Sequence, residues 1–163
     1  MIRVSYDEAI TFCEKLSDAT GLKFTLPTES QWEWACRAGT AAPVSFGAAD
    51  ADFSPFANLA DESVHRIVVK GVNPKPAAHQ DYSAFIPHAP GIDDGEMTVS
   101  DVASYATNAW GLFDMHGNVS EWTTTDFAAS DPRKIVRGGS WRDRPHRAQR
   151  FSVTLPALAE GIQ

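Results

Sequence analysis

The stretch from Thr40 to Thr107 most constrains the fold of this 163-residue chain. It is rich in Ala, Asp, Pro and Gly, and only Arg66 to Gly71 within it reads as a strand. So long a connection without regular structure normally argues against a compact domain. Yet Phe46, Phe53, Phe56, Tyr82 and Phe85 are spaced through it. Aromatic residues at that frequency point to loops pinned onto a core, with metal ions as a second means of anchoring them. Composition agrees with an ordered chain, since 43% hydrophobic and 21% charged residues exclude both disorder and a collagen-like fibre. The length allows one domain with a sizeable core, and residues 1–163 are read as a single domain.

Regular signals lie on either side of the quiet stretch. Ser5 and Glu8 form a capping box, and Ala9, Phe12, Leu16 and Ala19 follow at helical spacing up to Gly21. Lys23 to Leu26 alternates like a short strand. Thr28 and Gln31 form a second capping box, with Glu29 suited to the helix dipole, a stripe of Trp32, Ala35 and Cys36, and Gly39 as terminator. A further strand is expected at Lys134 to Arg137, running into Gly138-Gly139-Ser140-Trp141. Cys13 and Cys36 are too few for a disulfide scaffold and read as small buried thiols, so they leave the compartment open.

Charge is unevenly placed. Net charge is −7, yet residues 133–150 hold seven of the 14 Lys and Arg against one acid, Asp143, which leaves −13 on the remainder. Acidic residues crowd at Asp93, Asp94, Glu96 and Asp101. The basic segment either binds an anion or pairs with the chain's own acids, internal pairing being favoured. The acidic total argues against nucleic acid as a partner. No apolar run approaches the roughly 18 to 20 residues needed to span a membrane, and Met1 to Tyr6 has no apolar signal-peptide core.

Between Asn108 and Trp122, Asp114, Asn118 and Glu121 can meet at one hard cation, helped by carbonyls at the Gly117 turn. Hydrogen bonding within the turn, without metal, is the plain alternative. His116 reads as a loop hydrogen-bonder, and the five tryptophans read as core. Ser140 has no histidine and carboxylate placed by sequence to activate it. Gly138 and Gly139 lack the Lys-Ser/Thr continuation of a phosphate loop.

Several motifs together resemble a known family. Val4 to Ala9, Leu26-Pro27-Thr28-Glu29 and Trp32 to Ala35 are similar to the opening of the formylglycine-generating enzyme (sulfatase-modifying factor) domain. Asn108 to Leu112, Asp114 to Val119 and Glu121-Trp122 resemble its central signature, and Arg137 to Trp141 its active-site entry. The resemblance implies an α+β fold, a variant of the C-type-lectin fold, with few short strands, two short N-terminal helices and long ordered loops. It also implies a domain truncated at both ends, with flanking strands supplied by another segment or chain. Two calcium ions are implied. One would be held by Asn58, the carbonyl of Leu59, Asp94 and the carbonyl of Glu96. The other would be held by Asp114, Glu121 and the carbonyls of Gly117 and Val119.

The family oxidises a substrate cysteine to formylglycine at copper(I), a soft ion held by two thiolates. At the matching positions this chain has Asp143 and Ala148, so no copper and no such activity are expected. Cys13 and Cys36 match positions of structural disulfides in some members. A second enzymatic use, half of an active site completed by an iron-binding bundle as in ergothioneine-type sulfoxide synthases, remains the alternative. His65, His79, His88, His116 and His146 offer no facial iron motif of their own. The favoured expectation is a pseudoenzyme: a calcium-stabilised binding or structural module of a larger protein or complex. Its ligand face would comprise Ser140, Trp141, Arg142, Asp143, Arg144, His146, Arg147 and Arg150, suited to a protein partner, an anionic small ligand or a glycan. A bacterial extracytoplasmic setting is favoured, without membrane insertion.

Overall fold

The two capping boxes nucleate two helices. The computed structural model describes residues 4–48, 50–63 and 88–144. Helix α1, Tyr6–Thr20, starts on Ser5, whose side chain accepts the Glu8 amide while Glu8 reaches back to the Ser5 amide. It ends on Gly21 at φ +71°. Helix α2, Glu29–Arg37, repeats the box with Thr28 and Gln31. Its left-handed cap is Ala38 rather than the expected Gly39, although both residues have positive φ.

Strands β1, Glu121–Ala128, and β2, Asp131–Arg137, pair antiparallel with Glu121 opposite Arg137 and Trp122 opposite Val136. The expected strand at Lys134 to Arg137 is the second half of β2. Strand β1 carries no expectation from the sequence, although its Thr123-Thr124-Thr125 run is β-branched. Lys23 to Leu26 is not a strand. The Phe24 amide is taken by the Ser17 hydroxyl at 2.9 Å, so part of that backbone serves the end of α1 instead of a ladder. Pro27 joins the sheet margin, its carbonyl accepting the Thr124 amide at 2.8 Å. The strand expected at Arg66 to Gly71 lies outside the described residues.

Two apolar clusters result. Trp122 and Val136 are buried beneath Tyr6, Ala9 and Leu26, which is how α1 meets the sheet. No residue of α1 is fully buried, and Phe12 stands 65% exposed, so the expected apolar stripe is only partly used. The second cluster is built from loops: Phe53, Ala57 and Leu59, flanked by Phe46, Ala89 and Ile92. Burying a phenylalanine contributes about 1.5 to 3 kcal/mol, so Phe53, 1% exposed, is an effective pin for the quiet stretch. Backbone bonds then fasten the loops, with Glu62 N–H on Ile92 O and Ala89 N–H on Ala60 O, both 2.8 Å. Tyr82 and Phe85 lie outside the described residues. Trp32 and Trp122 are core, whereas Trp34 and Trp110 pack edge to face on the surface and correct the all-core expectation.

Arg137 joins the sheet to α2. Its side chain, 1% exposed, donates to Glu29 at 3.1 Å and Glu33 at 2.9 Å, and its guanidinium lies 5.3 Å from the Trp32 ring centre. Internal pairing of the basic segment therefore occurs at Arg137, with two acids of α2. Arg133 pairs with Asp131 and Lys134 with Asp126.

Candidate functional site

The bridge between Asn58 and Gly117 brings the two halves of the site together. A Cβ on Gly117 would sit 2.0 Å from the Asn58 carbonyl oxygen, so only glycine permits this approach, at φ +75°.

On one side of the bridge lies a first oxygen cluster. Asn58 is 1% exposed; its amide nitrogen donates to Thr98 O at 2.7 Å, while its Oδ1 has no hydrogen-bond donor. Asp94 accepts the Leu59 amide at 2.9 Å and the Glu96 amide at 2.9 Å. The Glu96 carbonyl accepts the Ser63 hydroxyl at 2.7 Å. Asn58, Leu59, Asp94 and Glu96, separated by up to 38 positions in the chain, are thus one neighbourhood. Asp61, fully buried, accepts the amides of Ser63 and Asp94 and adds a carboxylate that sequence reasoning missed. Its signal was slight: an acid three positions after Asn58. Burial pushes the Asp94 carboxyl up to about 6, with the Asp61 and Asp93 charges adding to it against the two backbone hydrogen bonds.

On the other side, Asp114 accepts the Ala103 amide at 2.8 Å through Oδ2, and its Oδ1 is buried without a donor. Glu121 accepts the Trp32 indole N–H, yet burial raises its pKa, and the charge of Asp114 raises it further. Gly117 and Val119 flank Asn118 in the turn between Asp114 and Glu121. Among the described residues there is no group of three or more His, Cys, Asp or Glu side chains placed to hold a metal ion. The donors that do converge are amide, carbonyl and carboxylate oxygens, the types a hard cation takes. Orphaned buried oxygens at Asn58 and Asp114, with carboxyls destabilised by burial, fit a hard cation.

The loop after β2 rests on both clusters. Trp141 N–H donates to Asn118 O and Ala60 N–H to Asp143 O, each at 3.1 Å. The Asp143 carboxylate closes a turn: its Oδ2 accepts both the amide and the hydroxyl of Ser140 at 2.9 Å. Both side chains are thereby engaged with each other within the loop. Arg142 lies over the half-buried Trp141 ring at 4.7 Å, and both Arg142 and Arg144 are exposed. His146, Arg147, Ala148 and Arg150 lie outside the described residues. None of residues 140–144 lines the small cavity of about 70 Å³ beside His116, which is bounded by Ser45, Phe46, Phe56, Leu112 and Met115. His116 is a loop hydrogen-bonder, its Nε2 accepting the Ser45 amide at 3.2 Å and lying 3.5 Å from Cys36 Sγ. Burial pushes the Cys36 thiol up to about 12, and both cysteines are free.

A small α+β domain whose long loops converge on two oxygen-rich clusters beneath a post-strand turn defines the class. The chain belongs to the sulfatase-modifying factor enzyme 1-like domain family, whose pattern it matches over residues 1–154. It is 28% identical over 145 residues to the bovine (Bos taurus) protein named inactive C-alpha-formylglycine-generating enzyme 2, covering 88% of this chain and 38% of that one. It is 29% identical over 130 residues to the formylglycine-generating enzyme of Mycobacterium tuberculosis, covering 78% of this chain and 33% of that one. The aligned part thus spans 33% to 38% of the length of these curated relatives. PvdO from Pseudomonas aeruginosa shares the fold with a TM-score of 0.70 at 21% identity, over 98% of this chain and 57% of that one. Treponema denticola variable protein 1 shares it with a TM-score of 0.65 at 19% identity, over 99% of this chain and 67% of that one.

Proposed function

We propose that this chain is a non-catalytic, calcium-stabilised binding module of the formylglycine-generating enzyme family. The observation that carries the reading is the use made of Asp143. At a position where the resemblance places a copper-binding thiolate, a carboxylate is spent on the Ser140 amide and hydroxyl. A carboxylate held in a turn, with Ala148 at the second position, does not replace two soft thiolates for copper(I).

Calcium would be held by Asn58, Leu59, Asp94 and Glu96 in one cluster and by Asp114, Gly117, Val119 and Glu121 in the other. When bound, it would neutralise carboxyls that burial disfavours and tie together loops that have little secondary structure. This scaffold presents the exposed Arg142 and Arg144 beside a half-buried Trp141. A guanidinium resting on an indole face keeps its planar donors outward, suited to a carboxylate, sulfate or phosphate on a protein partner or glycan. The C-type-lectin character of the fold belongs to this same reading.

Incubation with copper(I) and a Cys-x-Pro-x-Arg peptide is expected to yield no aldehyde, and turnover above blank would overturn the non-catalytic reading. Thermal unfolding in chelator and then in millimolar calcium tests the metal. Free calcium at about 100 times its dissociation constant adds roughly 2.7 kcal/mol, a shift on the order of 5 to 10 °C. No shift would remove calcium from the proposal.

A further inference from the structure

Asn118 bonds to Asn58, to Ser100 and to the Trp141 loop from within the turn that carries Gly117 and Val119. It is 3% exposed and adopts φ +59°, a conformation asparagine tolerates better than most residues. Its N–H donates to Asn58 O at 2.8 Å and its carbonyl accepts the Trp141 N–H at 3.1 Å. Its side-chain oxygen accepts the Ser100 amide at 3.1 Å and lies 3.5 Å from the Asn58 amide nitrogen. Its side-chain nitrogen reaches Ser100 O at 3.4 Å.

Two consequences follow from this wiring. The Asn58 amide nitrogen faces two acceptors, Thr98 O and Asn118 Oδ1, so a flipped amide would set oxygen against oxygen. Asn118 therefore helps decide that oxygen, not nitrogen, is the orphaned atom offered to the first cluster. Asn118 also sits between Gly117 and Val119, the turn residues assigned to the second cluster, and its carbonyl carries the loop that presents Trp141.

We propose that Asn118 is a positioning residue that couples the two cation clusters to each other and to the loop at residues 140–143. The inference rests on the calcium reading above. Ordering residues 58–59 around a first ion orders 117–119 through the Asn118 backbone, so a second ion meets loops already fixed. Binding is then positively cooperative, and by reciprocity each ion tightens the Trp141 loop and is favoured by whatever that loop binds.

The test uses the full 163-residue chain with calcium itself as the probe. Calorimetric titration reads binding, and hydrogen exchange reads the Ala60 and Trp141 amides. For the natural sequence we expect a cooperative isotherm and exchange slowed about fivefold or more by calcium at both amides. Asn118→Gly keeps the left-handed backbone and both backbone bonds but removes the side-chain links. It is expected to bind calcium about fivefold or more weakly, lose the cooperativity and lose the response at Trp141. Gly111→Ala, outside this network, should retain all three. Calcium binding by the natural chain without any change at Ala60 and Trp141 overturns the coupling, as does an Asn118→Gly isotherm that superimposes on the natural one. Absence of any calcium heat or thermal shift defeats the calcium reading itself, and the coupling with it. The measurements on the natural chain decide the matter even should the variant fail to fold.

Discussion

Gly117 and Gly111 have almost the same backbone, φ +75° and +78°, but different surroundings. A Cβ on Gly111 meets nothing within 4 Å, whereas one on Gly117 would lie 2.0 Å from Asn58 O and 2.8 Å from its carbonyl carbon. Alanine at Gly111 therefore carries only the left-handed conformational penalty, about 1 kcal/mol. Alanine at Gly117 carries that penalty and must also push the Asn58 backbone away. The displacement breaks two backbone bonds of 2.8 Å, Gly117 N–H to Gly138 O and Asn118 N–H to Asn58 O. At about 1 kcal/mol each, the total reaches about 3 kcal/mol before any loss of packing at Leu59. In a domain of this length each kcal/mol moves the melting temperature by about 2 to 4 °C. Gly117→Ala should thus melt roughly 6 to 12 °C lower in chelator and Gly111→Ala roughly 2 to 4 °C lower, with urea midpoints in the same order at unchanged slope. Equal losses in the two variants would refute the claim that the Asn58–Gly117 approach holds the loops together.

Two further outcomes test the electrostatics. Arg137→Lys should cost about 2 kcal/mol in urea unfolding, because a compact ammonium cannot span Glu29 and Glu33 while lying against Trp32; a loss below about 0.5 kcal/mol would mean those carboxylates are satisfied by water. In chelator, the pH dependence should carry the sign of Asp94. Its folded pKa of about 6 lies above the ordinary 3.8, so the folded state takes up the proton first. Metal-free protein should gain stability as pH falls from 7 through 6 and lose it as pH rises again. Asp94→Asn should remove that increment, and identical profiles for the two proteins over pH 5 to 7 would contradict the assignment.

What was legible in the sequence was local. The Ser5–Glu8 and Thr28–Gln31 boxes were readable because each is closed by groups three residues apart, where composition and geometry coincide. Asp114, Asn118 and Glu121 were readable as oxygen donors because they fall within one short glycine-containing turn, whereas Asn58, Leu59, Asp94 and Glu96 were legible only through motif resemblance. Periodicity has nothing to say about Asn58, Asp94 and Glu96 meeting, since they sit in irregular loops. The same gap hid Asp61, whose two amide partners make sense only once the loop at 92–96 has folded over it. It also misled the reading of tryptophan: Trp34 follows Trp32 by two positions on one helix, and a rotation of about 200° places one in the core and the other outside.

The charge pattern marks the same boundary between sequence and structure. The excess of bases in residues 133–150 was plain from the sequence, and so was the choice it posed between an anion and the chain's own acids. Which acids answer it was not: β2 delivers Arg137 to α2, about 100 positions away in the chain. By itself the sequence determined where helices begin, which residue types are available to a hard cation, and that thiolates are absent from positions 143 and 148. Only the tertiary structure decided that Asp143 closes a turn on Ser140, that Asn118 bonds to both Asn58 and Trp141, and that Gly117 must remain glycine. Those decisions depend on contacts between distant loops, whose geometry no local propensity encodes.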